Sequence, residues 1–355
     1  MDFHPFQTTI ASISHETADA ITVFFADTEG RIVYKPGQFI TIEVEVDGKK
    51  ERRSYSMCTT HGIDQHPGVC IKRVPGGVVS GFVLANWVVG SQVTLLPPIG
   101  NFTFVPDSAK RRHISLVGAG SGITPLMSIA QAILASEPQS HVSLIYGNRS
   151  EASIIFKDKI ANMAIVHAKR FRFVHVLSQP SANWQGLRGR IDGEVVEDML
   201  TQLSPLETID QTEFYLCGPQ AMMESVQAKL IELGHKKGLI HRESFFSTAA
   251  DTYEASHADD ATFDGPASVK IILDGKEYEI TVAEGTTILQ AALDKDVDMP
   301  YSCQSGLCTA CRGKCLEGKV ELAEKEGLSD SELEEGYILT CVGHPKSARV
   351  VIEIG

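Results

Sequence analysis

Cys303, Cys308, Cys311 and Cys341 are separated by four, two and twenty-nine residues. Thiolates are soft donors, and four of them closing on one inorganic core constrain a chain severely. Three must come from a single tight loop, and the fourth must return to it from elsewhere in a small domain. The loop has the composition this demands: Tyr301-Ser-Cys-Gln-Ser-Gly-Leu-Cys-Thr-Ala-Cys311 supplies Ser302, Ser305, Gly306, Thr309 and Ala310 around the sulfurs. Backbone amides in such a loop can point at the sulfurs and stabilise their negative charge. The spacing is the plant-type pattern of a two-iron, two-sulfur cluster. A zinc site, the alternative for four cysteines, usually takes two Cys-x2-Cys or Cys/His pairs, and only Cys308 and Cys311 form one here. Cys315 falls on the outgoing strand of the pattern and reads as a core thiol, not a ligand.

A cluster of this kind moves one electron at a time, so its donor must be sought in the rest of the chain. At 355 residues, 43% of them apolar, the chain can bury several cores, about two to three domains by length. Met1 to Thr9 contains Asp2, His4 and Pro5 and lacks the pattern of a secretory leader. That points to a reducing compartment, the cytoplasm, with thiols kept for metal. No apolar run approaches the roughly 20 residues that cross a bilayer, so no membrane association is expected. The net charge of -13 is uneven: -1 over residues 1–246, -5 over 247–267 and -7 over 268–355. An acidic surface around an electron carrier suits a basic protein partner and argues against nucleic acid. A solvated face that aids solubility is the other reading of the same charge.

From Phe6 to about Pro106, short β-rich runs alternate with Gly and Pro, among them Ala20 to Phe25, Gln38 to Val44 and Gln92 to Leu96. This predicts a small antiparallel barrel over 1–106. From His113 the pattern becomes strand and helix in turn: strands at His113 to Val117, Val142 to Tyr146, Phe171 to Leu177 and Glu213 to Cys217, helices at Leu126 to Ala135 and Ala221 to Leu233. A parallel α/β sheet over 107–246 follows. Residues 247–267 hold five acids and no periodicity, and read as a flexible linker. The last block, 268–355, shows paired strands at Ser268 to Leu273 and Tyr278 to Val282, a helix at Thr287 to Leu293 and a closing strand at Arg349 to Ile354.

Leu116-Val-Gly-Ala-Gly-Ser-Gly-Ile-Thr-Pro-Leu126 joins an apolar strand to a helix through Gly118, Gly120 and Gly122. Glycine lets a backbone approach a pyrophosphate, Thr124 is placed to cap the helix, and Pro125 suits its first turn. The helix head then faces an anion. The run departs from GxGxxG, since its third glycine comes one residue early, and by itself such a turn is as often structural. The next strand ends Tyr146-Gly-Asn-Arg149, where a site for NAD would carry an acid on the ribose. Arg149 suits a 2′-phosphate instead, which favours NADPH over NADH; a solvated arginine is the bland reading.

With the cluster loop and this turn together, the chain resembles the ferredoxin-NADP reductase superfamily with a ferredoxin fused at the C-terminus. The resemblance implies a three-domain fold: an antiparallel β-barrel for FAD, an α/β parallel-sheet nucleotide domain and an α+β β-grasp ferredoxin. It implies that Arg53-Ser-Tyr-Ser56 is the flavin motif, with Arg53 on the phosphate, Tyr55 stacked on the ring and Ser56 bonded to its edge. Lys72, Arg73 and Gly76-Gly-Val-Val-Ser80 are similar to the second flavin segment, where Gly76, Gly77 and Ser80 hold the pyrophosphate. Leu216-Cys-Gly-Pro-Gln-Ala-Met222 is similar to the nicotinamide-side motif and places Cys217 and Gly218 near the hydride, although Cys217 also fits a buried strand thiol. His241-Arg-Glu-Ser-Phe245 resembles the closing segment, with Glu243 near the flavin and Phe245 or Phe246 shielding it. FAD over FMN rests on this resemblance alone.

The order of domains, with Tyr146-Gly-Asn-Arg149 and Leu328 to Tyr337, is most similar to the reductase subunits of phenylacetyl-CoA epoxidases, whose acceptor is a separate di-iron oxygenase. The implied activity is electron transfer from NAD(P)H through FAD and the 2Fe-2S cluster to that partner, with Ser56, Cys217 and Glu243 at the site of hydride transfer. Reductases of other oxygenases share every redox motif, and a redox sensor is the alternative from a different class.

Overall fold

Between Phe6 and Ile99, runs rich in Ile, Val and Phe form six strands of a curled antiparallel sheet: β1 (Phe6–Thr17), β2 (Ala20–Ala26), β3 (Phe39–Val46), β4 (Lys49–Ser56), β5 (Gly68–Lys72) and β6 (Gln92–Ile99), in the order β4-β3-β6-β1-β2-β5. A bridge between Met57, just beyond β4, and Val69 in β5 joins the two edges. Closing the sheet in this way removes exposed edges. Ile40, Ile42 and Val44 alternate along β3 and enter one core with Val23, Phe25 and Leu95. A helix not expected from the sequence, α1 (Val78–Asn86), adds Val79 and Val83 to that core.

This computed structural model describes residues 4–204, 211–245 and 265–354, apart from 274, 307 and 326. The chain forms two compact units, Met1–Ser244 and Phe245–Gly355. The first continues from the barrel into a six-stranded parallel sheet. Its elements are β7 (Arg112–Ala119), α2 (Ile123–Ser136), β8 (His141–Asn148), α3 (Lys157–Val166), β9 (Phe171–Leu177), β10 (Leu187–Arg188), α4 (Gly193–Leu203), β11 (Gln211–Cys217), α5 (Gln220–Glu232) and β12 (Ile240–Glu243). The order is β10-β9-β8-β7-β11-β12. β7 is buried along nearly its whole length, as a parallel strand covered on both faces must be. Ile114 and Leu116 share a core with Leu126, Ile129 and Ile133 of α2, whereas Val117 joins Val196 of α4 and Met223 and Val226 of α5.

In the second unit, β13 (Ala267–Leu273), β14 (Lys276–Val282), α6 (Ile288–Leu293), β15 (Arg312–Glu317), β16 (Val320–Leu322), α7 (Asp330–Glu334), β17 (Tyr337–Leu339), β18 (Gly343–Pro345) and β19 (Arg349–Ile354) follow in turn. Five of these strands form a mixed sheet, β14-β13-β19-β15-β17, and β16 pairs with β18. Thr287 caps α6 by accepting from the Gln290 amide at 3.2 Å, and Ile288, Leu289 and Ala292 seat the helix against Val269, Ile271 and Ile352. This is the α+β arrangement expected. The expected linker falls mostly on residues outside those described, and β13 opens at Ala267, inside the stretch read as linker.

Candidate functional site

The strand order of the parallel sheet reverses between β7 and β11. Open α/β sheets bind ligands in the crevice outside the carboxyl ends of the strands at such a point. Backbone register lines up one residue from each strand there: His175 with Tyr146, Tyr146 with Gly118, Gly118 with Cys217, and Cys217 with Glu243. Gly118, Cys217 and Glu243, picked out separately in the sequence, are thus cross-strand neighbours. Burial, with the Glu243 carboxylate adding to it, pushes the Cys217 thiol well above its usual range and keeps it neutral.

Beyond β7, Gly120–Gly122 form a 3-10 turn that winds directly into α2. The three glycines serve different needs. A Cβ on Gly122 would lie 2.0 Å from the Cys217 carbonyl oxygen, and one on Gly118 2.7 Å from Leu126, so these two let β11 and α2 close on β7. Gly120 has φ +56° and no heavy atom within 4 Å of where its Cβ would be; its outer face is open to a ligand, while its carbonyl accepts from the Tyr146 hydroxyl at 2.9 Å. The head of α2 has neither a side-chain cap nor an acidic residue in its first turn, which suits a phosphate. Thr124 does not cap this helix, contrary to expectation. The 3-10 turn starts α2 at Ile123, which puts Thr124 inside, and its hydroxyl donates back to the Ser121 carbonyl at 3.0 Å. Pro125 sits in the first turn as expected. Gly218 leaves β11 so close to β7 that a Cβ there would be 3.1 Å from the Ala119 nitrogen. Arg149 is exposed just past β8, its carbonyl accepting from the Gln179 amide at 2.7 Å beside the exit of β9.

The barrel meets this edge through the end of β4. Ser56 is buried and donates to Glu243 Oε2 at 3.2 Å, which brings Ser56, Glu243 and Cys217 together. Burial pushes the Tyr55 phenol up to about 12, so its ring stands as a neutral, flat surface. Arg53 rests on the Arg52 carbonyl at 2.6 Å and on Glu51 at 3.3 Å. Lys72 is drawn aside to Asp19, 3.7 Å away. Gly76 and Gly77 turn the chain into α1, and Ser80 in its first turn accepts from the Val74 amide at 3.1 Å, folding the loop over the helix head. That head also lacks a side-chain cap and an acid. The donors and open glycine surfaces of both helix heads fit phosphate-bearing cofactors. Phe245 is exposed at the start of the second unit, and Phe246 lies outside the described residues.

In the second unit the four predicted sulfurs converge. The Cys303 side chain interacts with those of Cys308 and Cys341, and Cys341 with that of Cys311. Cys308, Cys311 and Cys341 are buried, and Cys303 is partly exposed. Thr340 donates both its amide and its hydroxyl to the Cys311 carbonyl, each at 3.1 Å, which fixes Cys341 beside Cys311. The Ser305 amide points at Cys303 Sγ, 3.4 Å away, as the loop composition predicts. Gly306, at φ +73°, has Glu324 where a Cβ would project, and its carbonyl accepts from the Gly327 amide at 2.9 Å. Cys315 instead lies on β15, its thiol turned to the Glu317 carbonyl at 3.5 Å. Four converging soft donors with an amide on one sulfur fit an iron-sulfur core.

Sequence reasoning missed the roles of Tyr146 and His175 in the cross-strand row, and of a buried Arg112, Glu137 and Glu213 cluster at the opposite end of the sheet. Their partners lie 25 to 101 residues away, so no local pattern announces them.

Three family models match the chain: an oxidoreductase FAD-binding domain over residues 8–104, an oxidoreductase NAD-binding domain over 116–228 and a 2Fe-2S iron-sulfur cluster binding domain over 271–346. Among curated relatives, the chain is 32% identical to a subunit of the 1,2-phenylacetyl-CoA epoxidase of Escherichia coli K12, covering 97% of this chain and 96% of that one. It is also 32% identical to the ferredoxin reductase component of 3-ketosteroid-9-alpha-monooxygenase from Rhodococcus rhodochrous, over 97% of this chain and 95% of the other. Phthalate dioxygenase reductase shares the fold, with a TM-score of 0.63 at 23% identity over 99% of this chain and 98% of that chain. The ferredoxin reductase of carbazole 1,9a-dioxygenase aligns with a TM-score of 0.58 at 27% identity over 69% of this chain and 70% of that chain.

Proposed function

We propose, for a chain that belongs to the family of oxygenase reductases joining FAD-binding, NAD-binding and 2Fe-2S ferredoxin domains in one polypeptide, that its electron acceptor is the di-iron oxygenase of a phenylacetyl-CoA epoxidase. The protein is an NAD(P)H-dependent oxidoreductase, and its cofactors are FAD, NAD(P)H and a 2Fe-2S cluster. When bound, FAD converts the two-electron chemistry of the nicotinamide into single-electron steps, and the cluster relays those one at a time.

The chain's own residues have the following parts in this reading. Arg53 and Lys72, with Gly76, Gly77 and Ser80, hold the flavin phosphates, and Tyr55 covers the ring. Gly118, Gly120, Gly122, Thr124, Pro125 and Gly218 shape the seat of the nicotinamide nucleotide, and Arg149 takes a 2′-phosphate, which makes NADPH the preferred donor. Ser56, Cys217 and Glu243 exclude water and orient the two rings, and Phe245 shields the flavin. Cys303, Cys308, Cys311 and Cys341 bind the cluster. The flavin domain spans 1–106, the nucleotide domain 107–246 and the ferredoxin domain 268–355, with 247–267 as the tether.

The observation that supports this most directly is the Ser56 to Glu243 bond, in register with Cys217 and Gly118, because it joins the flavin motif to the nucleotide edge. The acidic ferredoxin domain suits a basic acceptor. No helix of the described residues is long and apolar enough to cross a membrane. A cytoplasmic place is part of this reading. The equal identity to a 3-ketosteroid-9-alpha-monooxygenase reductase favours one second reading, an acceptor from another oxygenase class. Reconstitution decides between them. The loaded protein should support phenylacetyl-CoA epoxidation by the oxygenase partner at least about ten-fold faster than steroid hydroxylation by the alternative oxygenase, a gap of roughly 1.4 kcal/mol in barrier. The reverse order would remove the epoxidase assignment. Arg149→Leu should raise KM for NADPH and leave KM for NADH unchanged.

A further inference from the structure

The flavin motif and the nucleotide turn lie in different domains of the first unit, yet a hydride passes only between atoms about 3–3.5 Å apart. Neither motif alone can fix that distance. Met57 to Thr60 continue directly from Ser56, and all four residues are buried. Against them packs α2, whose head is the nucleotide turn. Ser128, fully buried in this helix, donates its hydroxyl to the Thr59 carbonyl at 2.5 Å. Its own carbonyl accepts from Thr60 Oγ1 at 2.9 Å, and Gln131 donates to the Cys58 carbonyl at 3.2 Å. A serine inside a helix commonly returns its hydroxyl to the carbonyl one turn back. Here it is committed to the other domain.

The barrel side of this joint is itself held. The Thr59 hydroxyl accepts from the Gly68 amide at 2.9 Å and shares a 2.6 Å bond with the Tyr34 hydroxyl. On the other side, the five-residue rise from Ile123 to Ser128 is rigid helix of about 7.5 Å. Thr60 stands four residues beyond Ser56. The joint therefore sits a short, stiff step from each motif. Losing the Ser128 hydroxyl strands the Thr59 carbonyl away from water, and losing the Thr60 hydroxyl removes the return bond to the Ser128 carbonyl, which then keeps only its intrahelical partner.

We infer that Thr60 and Ser128 are positioning residues for hydride transfer, a reciprocal hydroxyl-to-carbonyl joint that sets the flavin strand against the nucleotide helix. This rests on the reductase reading above.

The test uses the full chain loaded with FAD and cluster, as Ser128→Ala, Thr60→Val and the hydroxyl-retaining Ser128→Thr. After anaerobic mixing with saturating NADPH, flavin bleaching should slow about ten-fold or more in the first two, since an ångström of misplacement can cost about a hundred-fold. Ser128→Thr should stay within about two-fold of the parent, and affinity for NADP+, read by titration, should hold in all three. Amide exchange in the cofactor-free chain should quicken over 57–60 and 124–131 and stay unchanged in β7 and β11. Parent-like bleaching in both hydroxyl-deleted variants overturns the inference, as does a slowing matched by lost NADP+ affinity and by exchange throughout the sheet. If neither NADPH nor NADH bleaches the parent, the reductase reading fails, and the exchange pattern alone then decides whether the joint exists.

Discussion

Arg112 and Glu137 form an ion pair whose removal should be read in stability. Glu137 is wholly buried and its carboxylate accepts four hydrogen bonds: from Arg112 Nε at 3.1 Å, Arg112 Nη2 at 2.5 Å, Ser140 Oγ at 2.7 Å and the Asp107 amide at 2.9 Å. Arg112 also reaches Glu213 at 2.9 Å and the Val105 carbonyl at 3.0 Å, and lies 4.4 Å over the Phe104 ring. The Glu137 carboxyl is held below its usual range, because the bonds from Arg112, Ser140 and Asp107 outweigh desolvation. Arg112→Met leaves Glu137 and Glu213 close to an apolar side chain, and breaking a buried pair from one side costs about 3–5 kcal/mol. Glu137→Leu leaves Arg112 still paired with Glu213, so the cost is smaller, about 2 kcal/mol for the lost charge-assisted bonds. The double variant removes both halves, and the cycle should give a coupling of about 2 kcal/mol or more. Urea unfolding followed by tryptophan fluorescence measures this in the right place, since Trp87 and Trp184, the only two tryptophans, both lie in the first unit. Additive single costs, with a coupling under about 0.5 kcal/mol, would show that the pair behaves like a solvated one and refute the reasoning.

Burial lowers the His113 imidazole to about 4, where it bonds to Ser143 at 2.8 Å. Its folded value lies below the unfolded value of about 6.5, so the unfolded chain binds the extra proton first. Stability from this group is whole above about pH 6.5 and falls as pH drops toward 4, by about 3 kcal/mol in all; His113→Gln should make the fall in melting temperature over that window shallower without abolishing it, because burial lowers His175 to about 4 as well. Cys341→Ser should abolish bound iron and acid-labile sulfide while FAD content persists, and Cys315→Ser should leave iron content unchanged. Gly122→Ala, whose new Cβ would lie 2.0 Å from the Cys217 carbonyl oxygen, should raise KM for the nicotinamide donor and lower the melting temperature; Gly120→Ala, with open space around it, should cost only the roughly 1–2 kcal/mol of a left-handed alanine.

The parts of this fold that were legible in the sequence are those whose physics is local. Four sulfurs that meet in one small domain impose a fixed spacing, and a parallel strand such as β7, covered on both faces, shows itself by the apolar side chains of Ile114, Leu116 and Val117. Where partners are remote or elements short, the sequence is mute. α3 begins after Phe156, which is left-handed at φ +59° and offers no capping side chain, and the helix leaves Ile165 and Val166 exposed, so neither end of its pattern reads as a helix. β16, β17 and β18 have three residues each, too few to display an alternation. Thr124 misleads because a 3-10 turn advances the start of α2, a choice made by the packing of Gly122 on Cys217 rather than by any residue preference at 124.

Cys58, Cys70 and Cys217 are sealed in the first unit, packed among the apolar side chains that join α2 to the parallel sheet. An incoming ion must reach its ligands, and a sulfur enclosed in a close-packed core is out of its reach. A chain with eight cysteines therefore offers an incoming cluster one competent nest, and three of its other sulfurs cannot divert iron once the barrel and parallel sheet have folded. Assembly order then matters: once folded, the flavin half withdraws its own thiols from competition and leaves cluster loading to the loop that carries Cys303, Cys308 and Cys311.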